Sequence, residues 1–137
     1  MRLEAGRILE GAHGFRDVLH PQICGIGGTF KGAAALYNAV FSMENANVLM
    51  ELSKIRELIR KFQWNHGLGT REIAFLMKNV PERMHTLLPG LVIADVLAEK
   101  FSCASIVYSD SGVREGYIYD RIMGSPVSVI PKESEGR

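Results

Sequence analysis

Three short stretches of this chain carry residue types suited to holding an anion. The first is Gln22-Ile23-Cys24-Gly25-Ile26-Gly27-Gly28-Thr29. Its glycines let backbone come close to another group without Cβ interference, and Thr29 is placed to cap the helix that follows. Free N–H groups at such a helix start favour negative charge, and phosphate is the anion that fits best. The second stretch, Ser109-Asp110-Ser111-Gly112, repeats the order of strand, tight turn and helix, with Arg114 and Glu115 just beyond. The third is Arg83, two residues after Pro81 and near a helix start, whose planar guanidinium suits bidentate contact with a phosphate. Gly25, Gly27, Gly28, Thr29, Arg83, Ser109, Gly112 and Arg114 are therefore the candidate phosphate-binding residues.

Each feature also has a plainer explanation. A glycine turn serves equally to pack a helix tightly on a sheet, Arg83 suits an ordinary surface position, and Arg114 and Glu115 suit a local salt bridge. Several chemistries are excluded by the pattern. Gly25, Gly27 and Gly28 lack the third glycine of a dinucleotide fingerprint, and no lysine stands where a Walker A loop needs one. His13, His20, His66 and His85 show no metal-ligand spacing with one another or with the cysteines. No G-x-S-x-G elbow and no Cys and His constellation marks a nucleophile, so neither catalytic nor metal-ligating residues are assigned.

The elements that must position these residues follow from periodicity. Apolar residues Leu3, Ile8, Leu9, Ala12, Phe15, Val18 and Leu19 predict one imperfect helix over residues 3–20, weakened by Gly6, Gly11 and Gly14 and ended by Pro21. Residues 22–26 form the first strand. A helix over residues 29–41 turns Ala33, Leu36, Tyr37 and Val40 inward. Val48, Leu52, Ile55, Ile59 and Phe62 predict an amphipathic helix, with Lys54, Arg56, Glu57, Arg60 and Lys61 on a solvated outer face. Residues 64–69 form a turn, Thr70 caps a short helix, and Pro81 opens another helical region. Pro89 and Gly90 predict a kink or break before a buried helix over residues 91–100. Residues 104–109 form the second strand, residues 113–122 the last helix, and the tail from Pro126 is frayed. Right-handed crossovers place the two strands parallel, with both glycine turns at one carboxyl edge, where ligands gather in sheets of this kind.

A chain of 137 residues, 47% hydrophobic and 23% charged, is sized for one globular domain, here residues 1–125 with a tail at 126–137. Its net charge of +1 supplies no field that argues for DNA or a membrane surface. The amino terminus lacks the apolar core of a secretory signal, and no apolar run approaches the roughly 18 residues of a membrane span. Cys24 and Cys103 are expected to be buried thiols in a reducing cytoplasm.

Gly25-Ile26-Gly27-Gly28-Thr29, Pro81-Glu82-Arg83 leading into Leu88-Pro89-Gly90-Leu91-Val92-Ile93, and the run from Ser109 through Asp120 occur in an order and spacing that resembles the exopolyphosphatase and guanosine pentaphosphate phosphohydrolase (Ppx/GppA) family. The last run is similar to the family's S-D-x-G-L-R-E-G-L-L-Y-D/E, and the three together span about residues 20 to 123. The resemblance implies an α/β fold of the actin/Hsp70-like (ribonuclease H-like) class. This chain would be a helix-rich half-domain, the C-terminal part of the second domain, with two main parallel strands and about six helical segments. It implies polyphosphate or a guanosine nucleotide as ligand, and Mg²⁺ for the complete enzyme. The family's acidic D-x-G-G-G-S loop and catalytic glutamate have no counterpart in these residues, and Arg83-Met84-His85 stands where an R-A-D-like segment is common. The expectation is therefore a partial phosphate-binding edge that does not hydrolyse phosphoanhydrides alone. The alternatives are a hydrolase completed by a separate N-terminal half, or an interaction protein, in each case with a homo-oligomer or a second polypeptide covering the exposed sheet.

Overall fold

The structure, a computed structural model, describes residues 1–11, 21–44, 46–62 and 68–123. Its elements run α1 (Arg2–Glu10), β1 (Gln22–Ile26), α2 (Gly28–Phe41), β2 (Leu49–Glu51), α3 (Leu52–Lys61), α4 (Thr70–Asn79), a 3-10 turn (Pro81–Arg83), α5 (Leu87–Lys100), β3 (Ser105–Ser109) and α6 (Val113–Arg121). The second half of the expected first helix, the turn around residues 64–67, and the tail from Pro126 lie outside the described residues, as do His13, His20 and His66.

β1 and β3 pair in parallel, with Ile23 opposite Ile106 and Ile26 opposite Ser109. A third strand, β2, pairs antiparallel on the other side of β3 and sets Met50 against Ile106. The sheet order is thus β1-β3-β2, with β3 in the middle. Because side chains alternate along a strand, Ile23, Gly25, Ile106, Tyr108 and Met50 share one face. The helices cover that face. Ala33, Leu36 and Tyr37 of α2, Ile55 and Leu58 of α3, and Leu87, Leu91 and Ala98 of α5 are buried with Ile106 and Met50 in one core. Full burial of each large aliphatic side chain is worth about 1.5–3 kcal/mol. On the opposite face, Cys24, Ile26 and Leu49 are exposed.

Four sequence expectations change here, each for a local reason. Residues 49–51 are strand rather than the first turn of α3. The Asn47 side chain bonds Asn38 Oδ1 and the carbonyl of Leu49, and the Tyr108 amide donates to Val48 O at 2.8 Å. Bonds to β3 outcompete the helical period there. Pro89 breaks nothing, because α5 begins at Leu87 and Pro89 sits in its first turn, where an N–H has no intrahelical acceptor. Cys24 is exposed while Cys103 is buried, since β1 turns alternate residues to the bare face. α1 has no buried residue and is no apolar stripe. It is held on α5 by Arg2, which pairs with Asp95 and Glu99, and by Lys100 Nζ donating to Leu9 O.

Charge on α3 also does more than face water. Arg56 pairs at 2.7 Å with the buried carboxylate of Asp95, and Lys54 lies over the rings of Tyr37 and Phe41. A buried acid needs such partners to stay in a core.

Candidate phosphate site at the carboxyl edge of the sheet

Since Ile26 and Ser109 are register partners, the turns that follow β1 and β3 leave the sheet side by side. After Ile26, Gly27 caps α2 with φ +87° and ψ 179°, a backbone conformation that L side chains rarely adopt. No side chain caps α2, and its first turn carries no acid. Thr29 is therefore inside the helix rather than its N-cap, and its Cγ2 packs toward Gly90 of α5. Gly25 serves packing. It is buried, and the ring of Phe30 fills the place its Cβ would take, 2.3 Å from the nearest ring atom.

Gly28 is where the first and third sequence motifs meet. A Cβ there would stand 2.4 Å from Nη2 of Arg83 and 2.7 Å from its Cζ, and Gly32 lies one turn further along the same side chain. The 3-10 turn at Pro81–Arg83, docked on α2, aims that guanidinium across the helix start. A cleft of about 370 Å³ opens there, lined by Gly28, Lys31, Gly32, Val80, Glu82 and Arg83. Lys31 belongs to the first turn of α2, its amide bonded to Gly27 O at 3.0 Å. The cleft thus brings together a helix start, Lys31 and Arg83 with one acid, Glu82.

The second turn is built differently. Ser109 Oγ accepts the Ser111 amide at 3.2 Å and donates to Ser111 O at 3.3 Å. Gly112 caps α6 with an ordinary φ of −114°, and its N–H donates to Glu115 Oε2 at 2.7 Å. The amides of Glu115 itself and of Gly112 hold that carboxyl below the usual carboxylate range. Arg114 is exposed on α6 beside it.

Asp110 joins the two turns. Its Oδ1 accepts the Tyr108 hydroxyl at 2.5 Å and lies 3.7 Å from Lys31 Nζ. The Tyr108 hydroxyl, followed by Lys31, holds the Asp110 carboxyl below its ordinary value. The same hydrogen bond, with burial, pushes the Tyr108 phenol up to about 12. Lys31 and Tyr108 were not among the residues singled out by motif. The signal for Lys31 was its place in the first turn after the glycines, whereas Tyr108 reads in sequence only as a strand residue.

Of the sequence candidates, Gly27, Gly28, Thr29 and Arg83 gather at α2, and Ser109, Gly112 and Arg114 lie at the neighbouring turn and helix. Among the described residues no three His, Cys, Asp or Glu side chains group as a metal site. No described helix is long and apolar enough to cross a membrane.

No protein-family model matches the chain, and no curated protein does either. A solved structure does. The Aquifex aeolicus member of the Ppx/GppA protein family is similar over 90% of this chain, with a TM-score of 0.62 and 22% identity. The chain spans 38% of that structure's length, the extent of a partial domain. Its helix-rich α/β architecture with a three-stranded mixed sheet is that of part of the Ppx/GppA actin-like fold.

Proposed function

We propose, from the Ppx/GppA fold that this chain shares in part, that it binds the phosphate groups of a phosphoanhydride, polyphosphate or a guanosine nucleotide, at the start of α2. The observation that carries this reading is the guanidinium of Arg83 lying across Gly28 at an uncapped helix start. The amides of Gly28 and Thr29 would take phosphate oxygens, Arg83 would clamp them, and Lys31 would neutralise further charge. Binding rather than hydrolysis is the role of this chain alone. Asp110 and Glu115, two of the carboxylates near this edge, are both held below their ordinary range, and a carboxylate so stabilised is a weak general base.

A titration followed by NMR tests the reading. Polyphosphate should move the amides of residues 27–29 saturably, and Arg83→Gln should weaken binding by about five- to tenfold. Unmoved amides at those positions with phosphate, polyphosphate and nucleotide would sink it. Phosphate release from polyphosphate with Mg²⁺ should stay at the level of the uncatalysed control.

A second reading, of an interaction unit, is favoured by the exposed face that carries Cys24, Ile26 and Leu49, and by an α6 that buries none of its residues. In it the chain pairs with a second copy, or with a polypeptide supplying more of the fold, in a reducing cytoplasm that keeps both thiols free. Sedimentation equilibrium of the chain and of Ile26→Asp discriminates. Self-association lost in the variant supports pairing through this face, and a monomeric parent chain rejects the self-paired form.

A further inference from the structure

Lys31 faces two ways. Lys31 lines the α2 cleft with Gly28, Glu82 and Arg83, yet its ammonium forms an ion pair with Asp110 on the neighbouring turn. Asp110 is not there by accident of an exposed side chain. Tyr108, packed against the core, donates its hydroxyl to the same Oδ1, so the carboxylate is set in place from the protein side as well as by Lys31. A carboxylate held beside an anion cleft, on one of the cleft's two cations, is an internal anion.

We propose that Asp110 is the affinity-setting residue of the α2 site, an internal competitor that engages Lys31 until phosphate displaces it. The inference rests on the phosphate reading above. In the free protein Asp110 engages Lys31, which leaves the cleft the helix start and Arg83, with Glu82 opposing them. A bound phosphate at Gly28 presents Lys31 with more charge than one carboxylate does, and the lysine changes partner. Both side chains are largely exposed, 70% for Lys31 and 82% for Asp110, so the exchange needs no rearrangement of the backbone. Exposed ion pairs are individually weak, and the effect on affinity is correspondingly modest, about two- to fivefold.

The test is a double-mutant cycle on the full chain, with inorganic phosphate as the probe and the amide shifts of residues 27–29 as the readout. Asp110→Asn should tighten phosphate about two- to fivefold, because Lys31 no longer has to be released. In a Lys31→Met background the same substitution should change affinity by less than half as much. An unchanged affinity in Asp110→Asn, with the parent chain binding normally, overturns the inference and leaves the phosphate reading standing. An equal gain with and without Lys31 overturns it too, since Asp110 would then act by general repulsion. No shift in any of the proteins removes the reading and the inference together.

Discussion

At α6 the carboxylate of Glu115 folds back onto the amide of Gly112; at α2, the neighbouring helix start on the same sheet edge, no side chain does this. One start brings its own anion, and the other has Arg83 and Lys31 beside it with Glu82 in the same cleft. The backbone differs in the same sense, Gly27 at φ +87° against Gly112 at −114°. Two turns that look alike in sequence therefore divide the work. At α6 the Gly112 amide is satisfied by Glu115 and Asp110 reaches Lys31 of the neighbouring helix, while no side chain caps the start of α2. What separates them is a glutamate three residues past the glycine, the N3 acid of a capping box, where α2 has Lys31 one position further on. A glycine turn is evidence of an anion site only when the first turn of its helix has no acid of its own.

The largest consequence is in stability. A Cβ at Gly27 would meet nothing within 4 Å, so Gly27→Ala carries purely a backbone cost, about 1–3 kcal/mol for that region of φ and ψ. Gly112→Ala adopts its φ without strain and meets only Glu115 Oε2 at 3.4 Å, and should stay within about 0.5 kcal/mol of the parent. Urea unfolding of the pair measures this. Equal destabilisation would break the comparison at its backbone.

Much of this fold was legible because its signals are local. The inward stripe of α2, the β-branched run of β3 and the parallel relation of β1 to β3 follow from residue periodicity and connection length. β2 was not legible, since Val48 continues the period of Leu52, Ile55 and Ile59, and the deciding hydrogen bonds come from Tyr108 and Ala104, far along the chain. Pro89 misled for a related reason. Whether a proline breaks a helix or starts it depends on where the first turn begins, and that is fixed by packing of Leu87 and Leu88. At the site, the glycines and Arg83 were visible as types. The crossing of Arg83 over Gly28 and the diversion of Lys31 to Asp110 join residues from separate elements, and no spacing within one element announces them.

A smaller effect sharpens the difference in charge. Glu115→Ala removes the anion that α6 carries, so hydrogen exchange of the α6 amides should quicken about two- to fivefold while that of α2 stays unchanged. The same variant frees the Gly112 amide. In a phosphate titration that amide should then move, whereas in the parent chain, where it is bonded to Glu115, it should stay silent. Continued silence would mean that an open amide and a glycine turn are insufficient without the cations that α2 gathers.

The smallest effect concerns the residue that fastens Asp110 between the two turns. Tyr108 holds its proton up to about 12 in the folded chain, against an ordinary phenol near 10 in the unfolded one. Its contribution to stability is therefore complete below pH 10 and is lost as pH rises through 12, because the unfolded state releases the proton first. Asp110 works in the opposite direction. Its folded value is lowered, so its contribution is present above the ordinary carboxylate range and is lost as pH falls through the folded value. Phenolate absorbance of the parent chain minus that of Tyr108→Phe isolates the one tyrosine, and its midpoint should lie near 12. A midpoint near 10 would mean that the hydroxyl does not hold Asp110, which would then be free to leave Lys31, and the α2 cleft would have both of its cations without any ligand to displace the acid.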